Sequence, residues 1–317
     1  MSTRNRAAFT LVELLVVIAI IGILVGFISA AAMQAINSAH RASCQNNQHE
    51  IWTAITIYES KKQRYPGWRT GVGIGAGRRQ LSWAVQLMPY LGMNDNYNVW
   101  STTGTTPSTP PTPGISLYLC PSDDQDTPGG PWLSYAVNTG ISDSAQTSTN
   151  KESKANGLFF DNDTTVVPIP LFTSAADVQK KDGMTQTLGL GENRRVYNWS
   201  GYGASGAVVQ EYLTGFVWDN STTAPTNSWL KFPINQLDTS TGTVLTTTAT
   251  DATGARISGP HGNVAVVTFV DGHSIFLNSV IDYTVYNRLC TPDGTSARDT
   301  SGALLNQLPL DQAEFLR

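Results

Sequence analysis

The chain has 317 residues and a formal net charge of −4, from 20 basic and 24 acidic side chains. Only 14% of its residues are charged, against roughly 25% in an average soluble domain, and its aromatic content of 9% is too high for a wholly disordered chain. A mildly acidic chain without a basic block cannot neutralise many phosphates, so we expect no nucleic acid among its partners.

A basic start followed by an uncharged run makes the N-terminus a candidate membrane span. Arg4 and Arg6 precede the run, and the 20 residues from Leu14 to Met33 carry no charge. As a helix they would reach about 30 Å, the thickness of the hydrocarbon core of a bilayer. Because arginines favour the cytoplasmic side, we expect a single pass through the inner membrane with the remaining chain extracytoplasmic. A cleaved secretory signal and a plain signal anchor are the alternatives.

Glu13 stands at the start of this apolar run, where an isolated carboxylate is costly. Drawn to the centre of a membrane, such a group costs roughly 2.5–3.5 kcal/mol on insertion scales, and it usually needs a partner. The sequence therefore marks Glu13 as a functional residue.

Residues 7–24, AAFTLVELLVVIAIIGIL, resemble the N-terminal signal of type IV pilins and pseudopilins. In that family a prepilin peptidase cuts before the Phe and methylates the new amino terminus. The resemblance implies a leader of residues 1–8, processing between Ala8 and Phe9, and a Glu13 that pairs with the N-terminal amine of a neighbouring subunit. Ala8 departs from the family, in which Gly usually precedes the cut. The implied partners are the peptidase, the inner membrane, and other copies or other pilin-like subunits that contact the helix.

The helix is predicted to continue past the membrane, because no Gly or Pro occurs from Met33 to Arg64. We expect one helix over residues 9–62, membrane-spanning at about 14–33 and amphipathic beyond. One face of the amphipathic half should lie on a sheet, since its residues recur at helical spacing. That face consists of Cys44, Gln48, Ile51, Ile55 and Tyr58.

Residues 63–317 read as one domain of short β segments separated by turn residues. Strand-like segments include 115–119 and 133–137, and Thr/Pro/Gly-rich loops are predicted at 101–114 and 238–255. The predicted class is α+β: a long helix packed on a mainly antiparallel sheet, the arrangement of a pilin-like protein.

The strongest β signal is a hairpin near the C-terminus. Residues 264–270 and 273–277 are apolar runs separated by Asp271 and Gly272, which predicts a type I′ turn. His261, nine intervening residues and Asp271-Gly272 resemble the H-x(9)-D-G motif of a prepilin-associated domain of unknown function. Shorter pieces such as residues 44–47, 119–123 and 191–192 follow the order of that family.

His261 and Asp271 should lie at opposite ends of one strand, roughly 30 Å apart. They could then share neither a proton nor a metal, so we expect His261, Asp271 and Gly272 to have structural roles in the hairpin. No other clustering of titratable groups is visible in the sequence, and we expect neither a cofactor nor enzymatic activity.

Three cysteines, Cys44, Cys120 and Cys290, could oxidise in an exported chain. Cys44 and Cys120 fall in segments that resemble the prepilin-associated family, whereas Cys290 does not. We therefore expect a Cys44–Cys120 disulfide, with two buried free thiols or a pair that includes Cys290 as alternatives.

Four acidic residues are weak candidates for calcium ligands, but the sequence favours solvated turn acids, since no EF-hand spacing is complete. They are Asp123, Asp126, Asp161 and Asp163.

The sequence thus favours a structural pilin-like or pseudopilin subunit of a type IV pilus or a type II secretion-like filament, in the inner membrane or in surface or periplasmic filaments. The alternative is a membrane-tethered extracytoplasmic binding module that does not polymerise.

Overall fold

The structure of the chain is a computed structural model that describes most of its residues. The described residues are 10–73, 79–102, 114–123, 132–141, 153–164, 170–193, 199–200, 214–218, 257–279, 281–298, 302–307 and 310. The predicted loop at 238–255 lies outside these ranges. The predicted loop at 101–114 also lies outside them, except for residues 101, 102 and 114.

A single helix, α1, runs over Leu11–Lys62. It begins at Thr10, whose side chain caps the first turn, and it ends at Gln63, which adopts a left-handed conformation with φ of 58° just before Tyr65 and Pro66. Lys61 and Lys62 in the last turn complement the negative end of the helix dipole. The Thr10 cap therefore determines where the helix begins, and the left-handed Gln63 followed by Pro66 determines where it ends.

The second half of α1 packs on a sheet through the face that its periodicity predicts. Cys44, Gln48, Ile51 and Ile55 are fully buried and Tyr58 is nearly so. Gln48 fixes the helix to the strand beneath it, since its Nε2 donates to Val266 O at 2.8 Å and its Oε1 accepts from Thr268 Oγ1 at 2.9 Å. The amphipathic half of the helix is thus confirmed.

Eight strands and four shorter helices follow α1 in the described parts of the chain. In chain order they are β1 (Arg69–Val72), β2 (Arg79–Ser82), α2 (Trp83–Leu87), α3 (Asn94–Ser101), β3 (Tyr135–Ile141), β4 (Asp161–Asn162), α4 (Ala175–Gln179), β5 (Leu188–Glu192), β6 (Gly215–Trp218), β7 (Val264–Phe269), β8 (Ser274–Asn278) and α5 (Tyr283–Cys290).

These strands form two sheets, and the α+β class is confirmed. The larger sheet has the order β6-β3-β5-β7-β8 and the smaller has the order β2-β1-β4. Four strand pairs are antiparallel, whereas β1 with β4 and β3 with β6 are parallel. Helix α1 lies mainly against β7, with further contacts to β5 and β8.

Close packing of α1 on β5 depends on a glycine. A Cβ atom placed on Gly189 would lie 2.1 Å from the Trp52 ring, which no real contact permits. The indole of Trp52 therefore occupies the space left free by the strand, and its Nε1 donates to Val270 O at 3.1 Å. This contact sets how near α1 comes to the end of β5.

The turn between β7 and β8 differs from the type I′ turn that was predicted. Gly272 has a φ of +90°, but Asp271 is not among the described residues with positive φ. Gly272 N donates to Phe269 O at 2.9 Å, and Phe269 N donates to His273 O at 2.9 Å. The prediction was wrong because the loop has three residues rather than two, a type I turn followed by a glycine bulge.

The segment before Cys120 is likewise not a strand. Residues Ser116–Tyr118 form a 3-10 turn, whereas the neighbouring prediction at 133–137 overlaps β3. Tyr118 is buried there and its hydroxyl donates to Ala84 O at 2.7 Å. Anchoring of one aromatic side chain, rather than strand pairing, determines the path of this segment.

Candidate functional site

The first half of α1 presents an apolar surface that the rest of the described chain leaves uncovered. All described side chains from residue 11 to residue 39 are exposed, including Leu11 at 77% and Phe27 at 74%. By length and composition α1 is the one helix in the described ranges that could cross a membrane. We call residues 11–33 the apolar stalk.

Glu13 lies in the first turn of the stalk, in a capping box with Thr10. Its Oε2 accepts from Thr10 N at 2.9 Å and from Thr10 Oγ1 at 2.8 Å, and Glu13 N donates to Thr10 Oγ1 at 3.3 Å. The carboxylate is therefore held at the positive end of the helix dipole. Ala8 and Phe9, the predicted processing residues, lie just outside the described ranges.

Two glycines open one face of the stalk to close approach. Gly22 and Gly26 are four residues apart, and a Cβ atom added at either would meet nothing within 4 Å. Small residues at this spacing let two membrane helices bring their backbones together.

A second group of functional candidates is buried where α1 meets the larger sheet. Cys44 and Cys120 form a disulfide that ties α1 to the segment after the 3-10 turn. Asn47 supports the same junction, since its Nδ2 donates to Leu119 O at 2.9 Å and to the Tyr135 hydroxyl at 3.2 Å. Burial raises the pKa of the Tyr135 hydroxyl far above its usual range, so this group stays protonated.

His261 lies beside the disulfide and pairs with Glu192. His261 Nε2 is 3.1 Å from Glu192 Oε1 and 3.4 Å from Cys120 Sγ. Glu192 is fully buried at the end of β5, and its second oxygen accepts from Val266 N at 2.8 Å. A Cβ atom at Gly259 would lie 2.5 Å from that oxygen, so the glycine makes room for the carboxylate. We call Cys44, Cys120, Glu192 and His261 the buried cluster.

Asp271 and Gly272 belong to the hairpin turn at the far end of β7 from His261. Asp271 Oδ1 accepts from His273 N at 3.1 Å and lies 2.5 Å from His273 Nδ1. The His273 ring stacks on Phe269 with centroids 4.3 Å apart. The structure therefore places the three motif residues in two separate sites, one buried and one at the surface.

The acidic calcium candidates have protein partners in the described ranges. Asp161 is buried and forms an ion pair with Arg69, whose Nε donates to Asp161 Oδ1 at 3.0 Å. Asp163 Oδ2 accepts from Gln80 Nε2 at 2.7 Å, and Asp123 Oδ2 accepts from Ser134 Oγ at 2.8 Å. Asp126 lies outside the described residues.

Sequence reasoning assigned no role to Glu192, Gly259 or Arg69. A signal for Glu192 was present, because a carboxylate ends the otherwise apolar and glycine-rich segment LGLGE. A charge in that setting needs a buried partner. Only the tertiary fold shows that His261, 69 residues further along the chain, supplies it.

Comparisons with known proteins give two matches. Residues 3–29 match the prokaryotic N-terminal methylation motif, and residues 34–284 match a family described as a protein of unknown function, DUF1559. No curated protein matches the chain, and no solved structure does. The methylation motif and the apolar stalk mark a pilin-like chain with a prepilin-type signal and are consistent with membrane anchoring. Because the DUF1559 match covers most of the sequence, this chain belongs to the DUF1559 family, and it also carries a prepilin-type N-terminal motif.

Proposed function

We propose that the protein is a structural subunit that packs into a type IV pilus or a type II secretion-like filament through its apolar stalk. Its domain would be extracytoplasmic and its stalk would leave the inner membrane on assembly. The observation that carries the proposal is Glu13, a carboxylate fixed in the first turn of an exposed apolar helix. A neighbouring copy's N-terminal amine would offset the cost of this charge in an apolar bundle.

The exposed stalk supports assembly over simple tethering. A bilayer alone would accept any apolar helix, but the open backbone at Gly22 and Gly26 suits contact between helices. In the filament these contacts would replace the lipid tails that cover the stalk before assembly.

Six of the eight tryptophans give little support to a binding module. Trp52, Trp68, Trp83, Trp100, Trp199 and Trp218 are all buried, so these side chains form the core rather than a ligand surface. We further propose that the chain is not an enzyme, since His261 and Glu192 are enclosed by their protein partners.

Replacing Glu13 by Gln should abolish assembly while leaving the helix cap in place. A Gln amide oxygen can still accept from Thr10 N, so Glu13→Gln removes the charge and little else. Thr10→Ala is the matched control, because it removes the capping hydroxyl and keeps the charge. In cells, a cysteine at exposed Ile23 should give crosslinked oligomers in the parent and in Thr10→Ala, and none in Glu13→Gln.

Two outcomes would contradict this proposal. Crosslinked oligomers that persist in Glu13→Gln would show that the charge is not needed for packing. A parent chain that stays monomeric while the domain is exported would favour the non-polymerising module.

A further inference from the structure

The buried cluster collects four metal-ligating side chains from four separate segments of the chain. Cys44 comes from α1, Cys120 follows the 3-10 turn, Glu192 ends β5 and His261 precedes β7. One donor atom of each residue lies within 4.8 Å of the donor atoms of the other three. All four residues are buried.

We propose that the dithiol form of the buried cluster is a closed Zn²⁺ site, with Cys44 Sγ, Cys120 Sγ, His261 Nε2 and Glu192 Oε1 as its ligands. Zinc prefers four such ligands in a tetrahedron, and thiolate with imidazole favours it over calcium or magnesium. The protein fills every position, so the site would be structural and would leave no position for a substrate.

Two of the donor–donor distances are slightly shorter than those of a zinc tetrahedron. His261 Nε2 lies 3.4 Å from Cys120 Sγ and 3.1 Å from Glu192 Oε1. Standard zinc–ligand lengths place such N–S and N–O pairs about 3.6 Å and about 3.4 Å apart. In the dithiol form the distance between the two sulfurs would increase to about 3.8 Å, the length of an S–S edge in the same tetrahedron.

Groups around the cluster hold the ligands in place. Val266 N donates to the Glu192 oxygen that does not face His261, which leaves Oε1 directed at the imidazole. Asn47 holds the carbonyl of Leu119 next to Cys120, and Arg41 Nη2 donates to the carbonyl of His261 at 3.2 Å. Outer-shell contacts of this kind orient the ligands of natural metal sites.

Zinc binding and disulfide formation exclude each other. In the newly made chain each thiol would lose a proton to become a thiolate ligand, so one Zn²⁺ would displace two protons. A disulfide oxidant would then take two electrons from the thiolates and become two thiols with two protons from solvent. The Cys44–Cys120 bond would form, and Zn²⁺ would leave.

Cobalt substitution provides the test, because Co²⁺ in a thiolate tetrahedron has intense visible bands and sulfur-to-metal charge-transfer bands. The full chain in detergent, with Cys290→Ala to remove the third thiol, is reduced with a phosphine and titrated with Co²⁺ and then Zn²⁺. We expect one Co²⁺ per chain with a tetrahedral spectrum that Zn²⁺ bleaches. The oxidised protein should give no such spectrum.

His261→Asn and Glu192→Gln should each weaken Zn²⁺ binding by more than the roughly 10–100-fold that the loss of an outer-shell partner costs. His261→Cys keeps a ligand and should retain a tetrahedral spectrum with stronger charge-transfer bands. Circular dichroism of each reduced variant checks that it remains folded. The proposal fails if the reduced parent shows no tetrahedral cobalt spectrum, or if a folded His261→Asn binds Zn²⁺ as tightly as the parent.

Discussion

His261→Ala should lower the free energy of unfolding by about 1–3 kcal/mol, the usual cost of leaving a buried polar group without its hydrogen-bond partner. His261 Nε2 lies 3.1 Å from Glu192 Oε1, and both side chains are almost wholly inaccessible to solvent. Without the imidazole, Glu192 would keep one hydrogen bond, from Val266 N, and the oxygen that faced His261 would have lost its partner. Urea unfolding of the full chain in detergent, followed by the fluorescence of the buried tryptophans, measures the change.

The double variant His261→Gln, Glu192→Gln is the matched control. Two neutral amides can hydrogen-bond to each other, and a Gln at 192 can still accept from Val266 N, so no buried polar group is left without a partner. We expect the double variant to be clearly more stable than His261→Ala. Equal stability of the two variants would show that lost packing volume, and not the missing hydrogen-bond partner of Glu192, destabilises the protein.

Removing the Cys44–Cys120 disulfide should lower the free energy of unfolding by about 4 kcal/mol, since the bond closes a loop with a sequence separation of 76. Strands β1 and β2 and helices α2 and α3 all lie inside this loop, which the oxidised unfolded chain must keep closed. The Cys44→Ala, Cys120→Ala variant is compared with the oxidised parent by the same urea titration.

Cys290→Ala is the control for the loss of a buried sulfur. Cys290 is free and buried, and burial raises the pKa of its thiol far above the usual range, so it remains a protonated thiol without a cross-link. Cys290→Ala should lower the free energy of unfolding by less than removal of the disulfide does. If both variants lost the same stability, the disulfide would contribute little beyond its packing.

The sequence predicted those parts of the molecule that follow from local periodicity. The apolar run and the buried face of α1 need only a helical repeat, and Lys62 was correctly placed as the last helical residue. The hairpin strands were likewise visible as apolar runs on either side of a turn.

The remainder depends on contacts that no local pattern encodes. The turn type at Asp271 and Gly272 is set by where pairing of β7 and β8 stops, which adds Val270 to the loop. The path at residues 116–118 is set by the buried ring of Tyr118. The partner of His261 lies on β5, which only the order of strands in the larger sheet brings beside it.

Mass spectrometry of the N-terminal peptide of the protein isolated from its native cells tests the central claim most directly. The account predicts a chain that begins at Phe9 with a methylated amino group, so that Glu13 lies five residues into an intact stalk. A chain that begins at or beyond Met33 would contradict it, because the stalk and the carboxylate that defines its end would both be gone.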